Sequence, residues 1–534
     1  MKRFAWFVCA LTAACGDNLD AKAPDAAPTI DGTPAASLAS VKTIVVIYAE
    51  NRGFDNMYGK FPGANGLNGT YAPQLDRDGS PLAKLPMAWT GVTAVGFVPA
   101  IAQASSDNVA NAPYSLASQY AGFANTTITR DLYHRFFENQ MQIDGGSNDM
   151  FAAYADSGGL VMGYNDGPSM AMWQLASQFT LADNFFMGAF GGSFLNHQYL
   201  ICACAPEFPN ADVDAAHPTI ATLDPDGSGG VLPSLTLAVA SPASAIDGIP
   251  VFTLSGNLVP KNYFGDATWR AVNTMQPPYQ PSFNAPAASD STHLFADRTK
   301  PNTLPPQTEM TIGDQLDAKQ VSWKWYAGAW NSTLATATGD RMFPSTTTPG
   351  SAPNFQMHHQ PFNYYSAFDP STAAAARQQH LKDFTDLTAD IAAGTLPPVV
   401  FYKPEGDLNQ HPGYASIAAG DQHIADLVAK LQASPQYANM IIVITYDENG
   451  GWWDHVAPPF GDLLGPGTRI PAIIVSPFAK KGFVDHTQYD TGSIIRLIDK
   501  RFGITPLPGL TARDAGLAAN GETPMGDLTN ALVF

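Results

Sequence analysis

The stretch IIVITYDENGGWWDH, residues 441–455, decides how this chain is read. Ile441, Ile442, Val443 and Ile444 form an unbroken apolar, β-branched run, which predicts a strand buried on both faces. The run leads into Asp447 and Glu448. Two glycines follow, Gly450 and Gly451, then Trp452 and Trp453, then Asp454 and His455. Open α/β sheets build their sites at the carboxyl ends of strands, so paired carboxylates at that place point to chemistry as well as to a solvated acidic turn. Carboxylates with an imidazole nearby are ligands that divalent metals use.

A second acidic strand end lies far upstream, in VKTIVVIYAENRGFDNMYG, residues 41–59. Thr43 to Ile47 read as another buried strand, and it ends at Glu50 and Asn51. In a parallel sheet both ends would share one edge, and three carboxylates and an amide oxygen would face one point. PPVVFYKP (397–404) and RIPAIIVSPF (469–478) predict two more buried strands. Helices are expected at 115–123, 129–152, 169–179, 424–435 and 491–503, and at 372–393, closed by Gly394. The alternation of buried strands with helices predicts an α/β fold with a mainly parallel sheet.

The chain has 534 residues and a formal net charge of −19, so it lacks the basic surface that nucleic acids require. The same charge excludes electrostatic adhesion to anionic lipid. Aromatic content of 11% excludes a disordered chain, and 43 prolines with 46 glycines predict long ordered loops. Residues 206–355 are the loop-rich part, expected to be insertions that shape a substrate pocket.

The N-terminus reads as a targeting segment. Lys2 and Arg3 precede an apolar run from Phe4 to Ala14 that is too short to span a bilayer. It ends in LTAAC (11–15), similar to the lipobox of bacterial lipoproteins, although Thr12 stands where Leu is usual. Residues 1–15 are therefore expected to be a signal peptide of lipoprotein type, with ordinary signal-peptidase cleavage as the alternative. Residues 16–40, rich in Ala, Pro and Asp, are expected to be a flexible tether before a single catalytic domain at 41–534. The expected location is secreted or cell envelope, with membrane contact only through a lipid on Cys15. Cys202 and Cys204 lie two apart, a tight ring for a disulfide, and are expected to be reduced and buried.

Five segments carry a family resemblance: AENRGFDNMYG (49–59), GGSFLNHQY (191–199), HPGYAS (411–416), YDENGGWWDHVAPP (446–459) and GTRIPAIIVSPFAKKGFVDH (467–486). In this order they resemble the bacterial phosphoesterase family of acid phosphatases and phosphatidylcholine-type phospholipases C. That family belongs to the alkaline phosphatase and sulfatase-like superfamily. The resemblance implies a three-layer α/β/α, alkaline phosphatase-like fold. It implies Ser193 as nucleophile, with Leu195 standing where the family has Pro and with Asn196 kept. It implies Glu50, Asn51, Asp447 and Glu448 as metal ligands. His134 and His411 fall at phosphate-binding or proton-donating positions, and His359 is a third such position for which His358 competes. Asn196, Asp454 and His455 read as supports around these groups. His197, His423 and His486 read as structural histidines, and Trp452 with Trp453 as core packing beside a site.

The expected cofactor is one or more divalent metal ions. Oxygen ligands suit Ca, Mg or Mn, and a histidine ligand would open Zn or Fe. The expected reaction is hydrolysis of a phosphate ester through a phosphoserine, with an acid phosphatase favoured because the chain ends soon after His486. Phospholipase C is the alternative, and a surface binding lipoprotein that has lost the chemistry is the alternative of another kind. A sulfatase would need a Cys or Ser in a C/S-x-P-x-R context, and none follows the first strand.

Overall fold

In a computed structural model, the chain is described from residue 37 to residue 534, apart from 214–218, 225–231, 274, 282–283, 301 and 335–354. The expected signal peptide, Cys15 and most of the expected tether lie outside the described residues. Residues 37–534 form one compact unit.

An eight-stranded sheet organises it. In chain order the strands are β1 (Thr43–Ala49), β2 (Thr180–Ala182), β3 (Trp323–Ala327), β4 (Leu381–Asp383), β5 (Val399–Lys403), β6 (Met440–Tyr446), β7 (Ala472–Val475) and β8 (Phe483–Asp485). Across the sheet they run β8-β2-β7-β6-β1-β5-β3-β4. All are parallel except β7, which runs against both its neighbours. Every residue of β1, β5 and β6 is buried, so both faces of the sheet centre are covered, as a mainly parallel sheet requires. The fold is a three-layer α/β/α arrangement.

Six helices matter to the site: α1 (Phe54–Tyr58), α2 (Phe136–Ile143), α3 (Ala171–Gln178), α4 (Ser193–Cys202), α5 (Ile417–Ala433) and α6 (Gly492–Phe502). Helix α5 packs on α3, and α6 packs on α4. The β1–β6 pairing carries most of the functional consequence. Its register sets Ala49 opposite Tyr446, so Glu50 and Asp447 leave the sheet side by side.

Four expectations are corrected. The helix expected over 129–152 begins only at Phe136, and His134 lies in the non-helical segment before it. The helix expected over 372–393 is broken by β4, because Asp383 caps a new helix, accepting from the Thr385 N–H at 3.0 Å. β3 falls in the stretch read as a pocket-shaping insertion, yet it is an inner strand of the central sheet. The run VSWKWYA (321–327) reads as strand-like along the chain, but nothing in it shows that the strand belongs to the central sheet. Cys202 and Cys204 form a disulfide, contrary to expectation. Ala203 between them takes a left-handed φ of 50° as α4 ends, which folds the chain back and brings the Cα atoms to 5.1 Å. That separation is ordinary for a disulfide.

Candidate active site

Four segments converge at the carboxyl edge of β1 and β6. Asn51 takes a left-handed φ of 60°, which turns its N–H onto Asp447 Oδ1 at 2.9 Å. The same oxygen accepts from the Glu448 N–H at 2.8 Å. Gly450, at φ 64°, faces this turn. A side chain there would overlap the Asn51 carbonyl oxygen, so the closeness of the two strand ends depends on a glycine.

Ser193 reaches this point from the first residue of α4. Its Oγ lies 3.3 Å from Asn51 Oδ1 and 3.4 Å from Glu448 Oε1. Asn196, one turn on, ties down the preceding loop. Its Oδ1 accepts from the Ala189 N–H at 2.9 Å, and its Nδ2 donates to the carbonyls of Ala189, Gly191 and Gly192. Gly191, at φ 82°, lets that loop press on the backbone at Phe136, where any Cβ would collide. The serine thus sits at the positive end of a ten-residue helix, which favours the alkoxide.

The histidines divide by position. His134 Nδ1 bonds the Leu132 carbonyl at 2.6 Å, which leaves Nε2 facing inward, 3.8 Å from Glu448 Oε1. The His411 ring stands 5.7 Å from the His134 ring and stacks on Tyr414 at 4.5 Å. Both histidines line a cavity of ≈ 330 Å³ together with Asp131, Gln356 and Tyr414. Ser193, Glu50, Asp447 and Glu448 themselves are buried and do not line it. His358 and His359 both lie on Glu50 Oε1, at 3.3 and 2.9 Å, so the choice between them resolves into a pair.

The sequence reading missed three residues here. His197, read as structural, bonds the Ser193 carbonyl through Nδ1 at 2.8 Å and lies 3.8 Å from Asp447 Oδ2. Its place one turn after Ser193 on α4 was the available signal. Lys403, at the end of β5, is fully buried with Nζ 3.2 Å from Glu50 Oε1. A lysine closing an otherwise apolar strand was its signal. Asn409 bonds Glu50 Oε2, which also accepts from the Tyr414 hydroxyl at 3.1 Å.

Asp454 and His455 do not join the Ser193 group. Asp454 accepts from Arg469 Nε at 2.8 Å, and His455 Nδ1 lies 2.6 Å from Asp55 Oδ2. Together these residues bind α1 to the segment after β6. Trp452 and Trp453 are buried, and Trp453 donates to the Asn148 carbonyl at 2.7 Å, so the pair packs as expected. His423 bonds the Tyr402 hydroxyl at 2.6 Å, and His486 bonds Asp183.

Three fully buried carboxylates, Glu50, Asp447 and Glu448, therefore stand together. Burial would raise Glu50, but the Lys403 ammonium and the two histidines hold it well below the usual range. Burial pushes Asp447 up to about 6, with Lys403 opposing and Glu50 reinforcing. Burial and then Asp447 push Glu448 up as well. Burial drives His359 down to about 3. Carboxylates strained in this way, beside an amide oxygen and a serine hydroxyl, fit a divalent cation that would relieve their repulsion.

A family model for the phosphoesterase family matches residues 41–505, a span that contains every one of these groups. The chain belongs to the phosphoesterase family. Phospholipase C B of Mycobacterium tuberculosis is 22% identical over 535 aligned residues, covering 93% of this chain and 78% of that protein. The non-hemolytic phospholipase C of Pseudomonas aeruginosa is 25% identical over 205 residues, 32% of this chain and 28% of its own. Non-specific phospholipase C6 of Arabidopsis thaliana is 32% identical over 160 residues, 24% of this chain and 30% of its own. Among solved structures, an alkaline phosphatase superfamily protein from Vibrio parahaemolyticus aligns at a TM-score of 0.29 and 10% identity, over 76% of this chain and 73% of that one. This phosphoesterase is a phosphoric ester hydrolase.

Proposed function

We propose that the substrate is a phosphodiester of phospholipid type and that the chain acts as a phospholipase C. The observation that carries this is the match to phospholipases C along 93% of the chain. It replaces the expectation of a monoester phosphatase, which rested on where the chain ends.

In this reading Ser193 Oγ attacks phosphorus and the diacylglycerol oxygen leaves. A histidine facing the cavity, His134 or His411, protonates that oxygen, and the other stabilises the phosphoryl oxygens. Water then cleaves the phosphoserine ester and releases the phosphorylated headgroup. Asn51, Asp447 and Glu448, with Glu50 beside them, would hold a divalent ion that stabilises negative charge on the serine and phosphoryl oxygens. His197 holds the Ser193 turn, and Asn196 holds the loop before it. The protein is read as exported, and the Cys202–Cys204 disulfide suits an oxidising compartment. No helix among the described residues is long and apolar enough to cross a membrane.

The test is hydrolysis of p-nitrophenylphosphorylcholine beside p-nitrophenyl phosphate by residues 37–534, with and without chelator. Preference for the choline diester is expected, and preference for the monoester would restore the phosphatase reading. Ser193→Ala should lose at least about 10³-fold in turnover, the scale of losing a nucleophile, with metal binding retained. Retained turnover would remove Ser193 from its role.

A further inference from the structure

Among the described residues, Lys403 is the one group of the constellation whose charge opposes the carboxylates without a place as ligand, phosphate contact or proton donor in the reading above. Its side chain is wholly inaccessible to solvent. Its Nζ donates to Glu50 Oε1 at 3.2 Å and to the Ala49 carbonyl at 3.5 Å, and it stands 5.8 Å from the Tyr48 ring centre. An ammonium is held this deep only where fixed negative charge repays its desolvation.

The surroundings are those of a metal site. Glu50 and the ring nitrogens of His358 and His359 bring one ligand atom each to within 4.8 Å of one another. Two imidazoles and one carboxylate are a set that transition metals take. All three residues are fully buried, and all three meet at Glu50 Oε1, the oxygen that Lys403 occupies. An ammonium and a metal ion cannot both take this oxygen at close range. The charges agree. Glu50, Asp447 and Glu448 carry three negative charges, which one divalent ion and one ammonium balance. A second divalent ion would leave the buried site two charges in excess.

We infer that Lys403 is a built-in cation standing where a second metal ion would sit, so that the protein takes one exchangeable ion and the Glu50–His358–His359 set is a metal site kept closed by Lys403. This rests on the reading that one ion is held by Asn51, Asp447 and Glu448. Lys403 acts through Glu50 and is a positioning residue.

The experiment counts metal ions per chain. Residues 37–534 and Lys403→Met, which keeps the length of the side chain, are stripped with chelator. They are then titrated with Zn²⁺ or Co²⁺ and analysed by calorimetry and elemental analysis. The expected result is one ion for the wild type and two for Lys403→Met, and one again for Lys403→Met combined with His358→Ala. Co²⁺ in the second site should add a visible absorption of a histidine-bound ion that the wild type lacks. Lys403→Arg keeps the charge and should stay at one ion; Lys403→Met and Lys403→Arg both keep the stem, so a difference in ion count between them is what a merely structural role for the stem would not predict. Two ions in the wild type would overturn the inference, and this needs no variant to fold. One ion in folded Lys403→Met would overturn it while leaving the one-ion reading intact. No ion in the wild type would remove the one-ion reading and the inference with it.

Discussion

Replacing Arg469 by Met should destabilise the protein by about 3–5 kcal/mol, the cost of stripping the partner from a buried charge. Arg469 is wholly buried, and each nitrogen of its guanidinium is hydrogen-bonded to protein groups. Nε donates to Asp454 Oδ1 at 2.8 Å, and Nη2 donates to Asp454 Oδ2 and Asp55 Oδ1, each at 3.2 Å. Nη1 donates to the carbonyls of Asp183 at 2.6 Å and Asn65 at 2.9 Å. The guanidinium also lies 4.4 Å from the Phe54 ring centre. Methionine fills much of the volume, so the loss is chiefly electrostatic. Burial already raises the Asp454 carboxyl and Arg469 pulls it down, so without the arginine it rises further. A carboxyl raised in the folded state binds its proton more tightly there, so the deficit of Arg469→Met should be full near pH 8 and smaller near pH 5. Urea unfolding followed by tryptophan fluorescence at both pH values measures this. Asp454→Asn in the Arg469→Met background should recover part of the loss at pH 8, because it removes a stranded charge. A cost below about 1 kcal/mol at pH 8, or no recovery in the double variant, would refute the argument that this ion cluster fastens α1 to the segment after β6.

Three further outcomes follow from the same geometry. Gly450→Ala should cost about 1–2 kcal/mol for its left-handed backbone, plus a collision with the Asn51 carbonyl. The displaced Asn51 should lower kcat/KM by about 10²-fold in steady-state assays. Glu138 is buried on α2 and both its carboxylate oxygens lack hydrogen bonds, and burial raises it from 4.5 to about 7. Its proton is bound more tightly in the folded chain, so unfolding free energy should fall by up to about 3 kcal/mol as pH rises from 4.5 to 7. In thermal unfolding, Glu138→Gln should therefore match the wild type near pH 5 and melt higher near pH 8; equal melting at both would show that the Arg135 guanidinium, 3.8 Å from Glu138 Oε1, already offsets the buried charge. Ser193→Ala, with turnover lost and metal retained, completes the set.

Much of this protein was legible along the chain. The apolar runs at 43–47, 397–404 and 441–444 read as strands buried on both faces, because they are short, rich in β-branched or aromatic residues and bounded by polar or turn residues. The acidic ends Glu50–Asn51 and Asp447–Glu448 were visible for the same reason: a buried strand cannot hold two carboxylates, so they mark where it leaves the sheet. Other features needed the third dimension. The chain separates β1 from β6 by nearly four hundred residues, and only their parallel pairing, Ala49 against Tyr446, brings the acid pairs together. His197 read as structural because a lone histidine is more often a satisfied structural group, yet α4 places it 3.8 Å from Asp447. Lys403 received no reading along the chain, and only the pairing of β5 with β1 sets its ammonium against Glu50. Cys202 and Cys204 looked too close to pair, and a single left-handed residue at the end of α4 decided otherwise. Periodicity and residue type fix what is buried locally. Which distant charges share one buried space is settled by strand order, because the electrostatic cost of burial is paid only among groups that the sheet has already made neighbours.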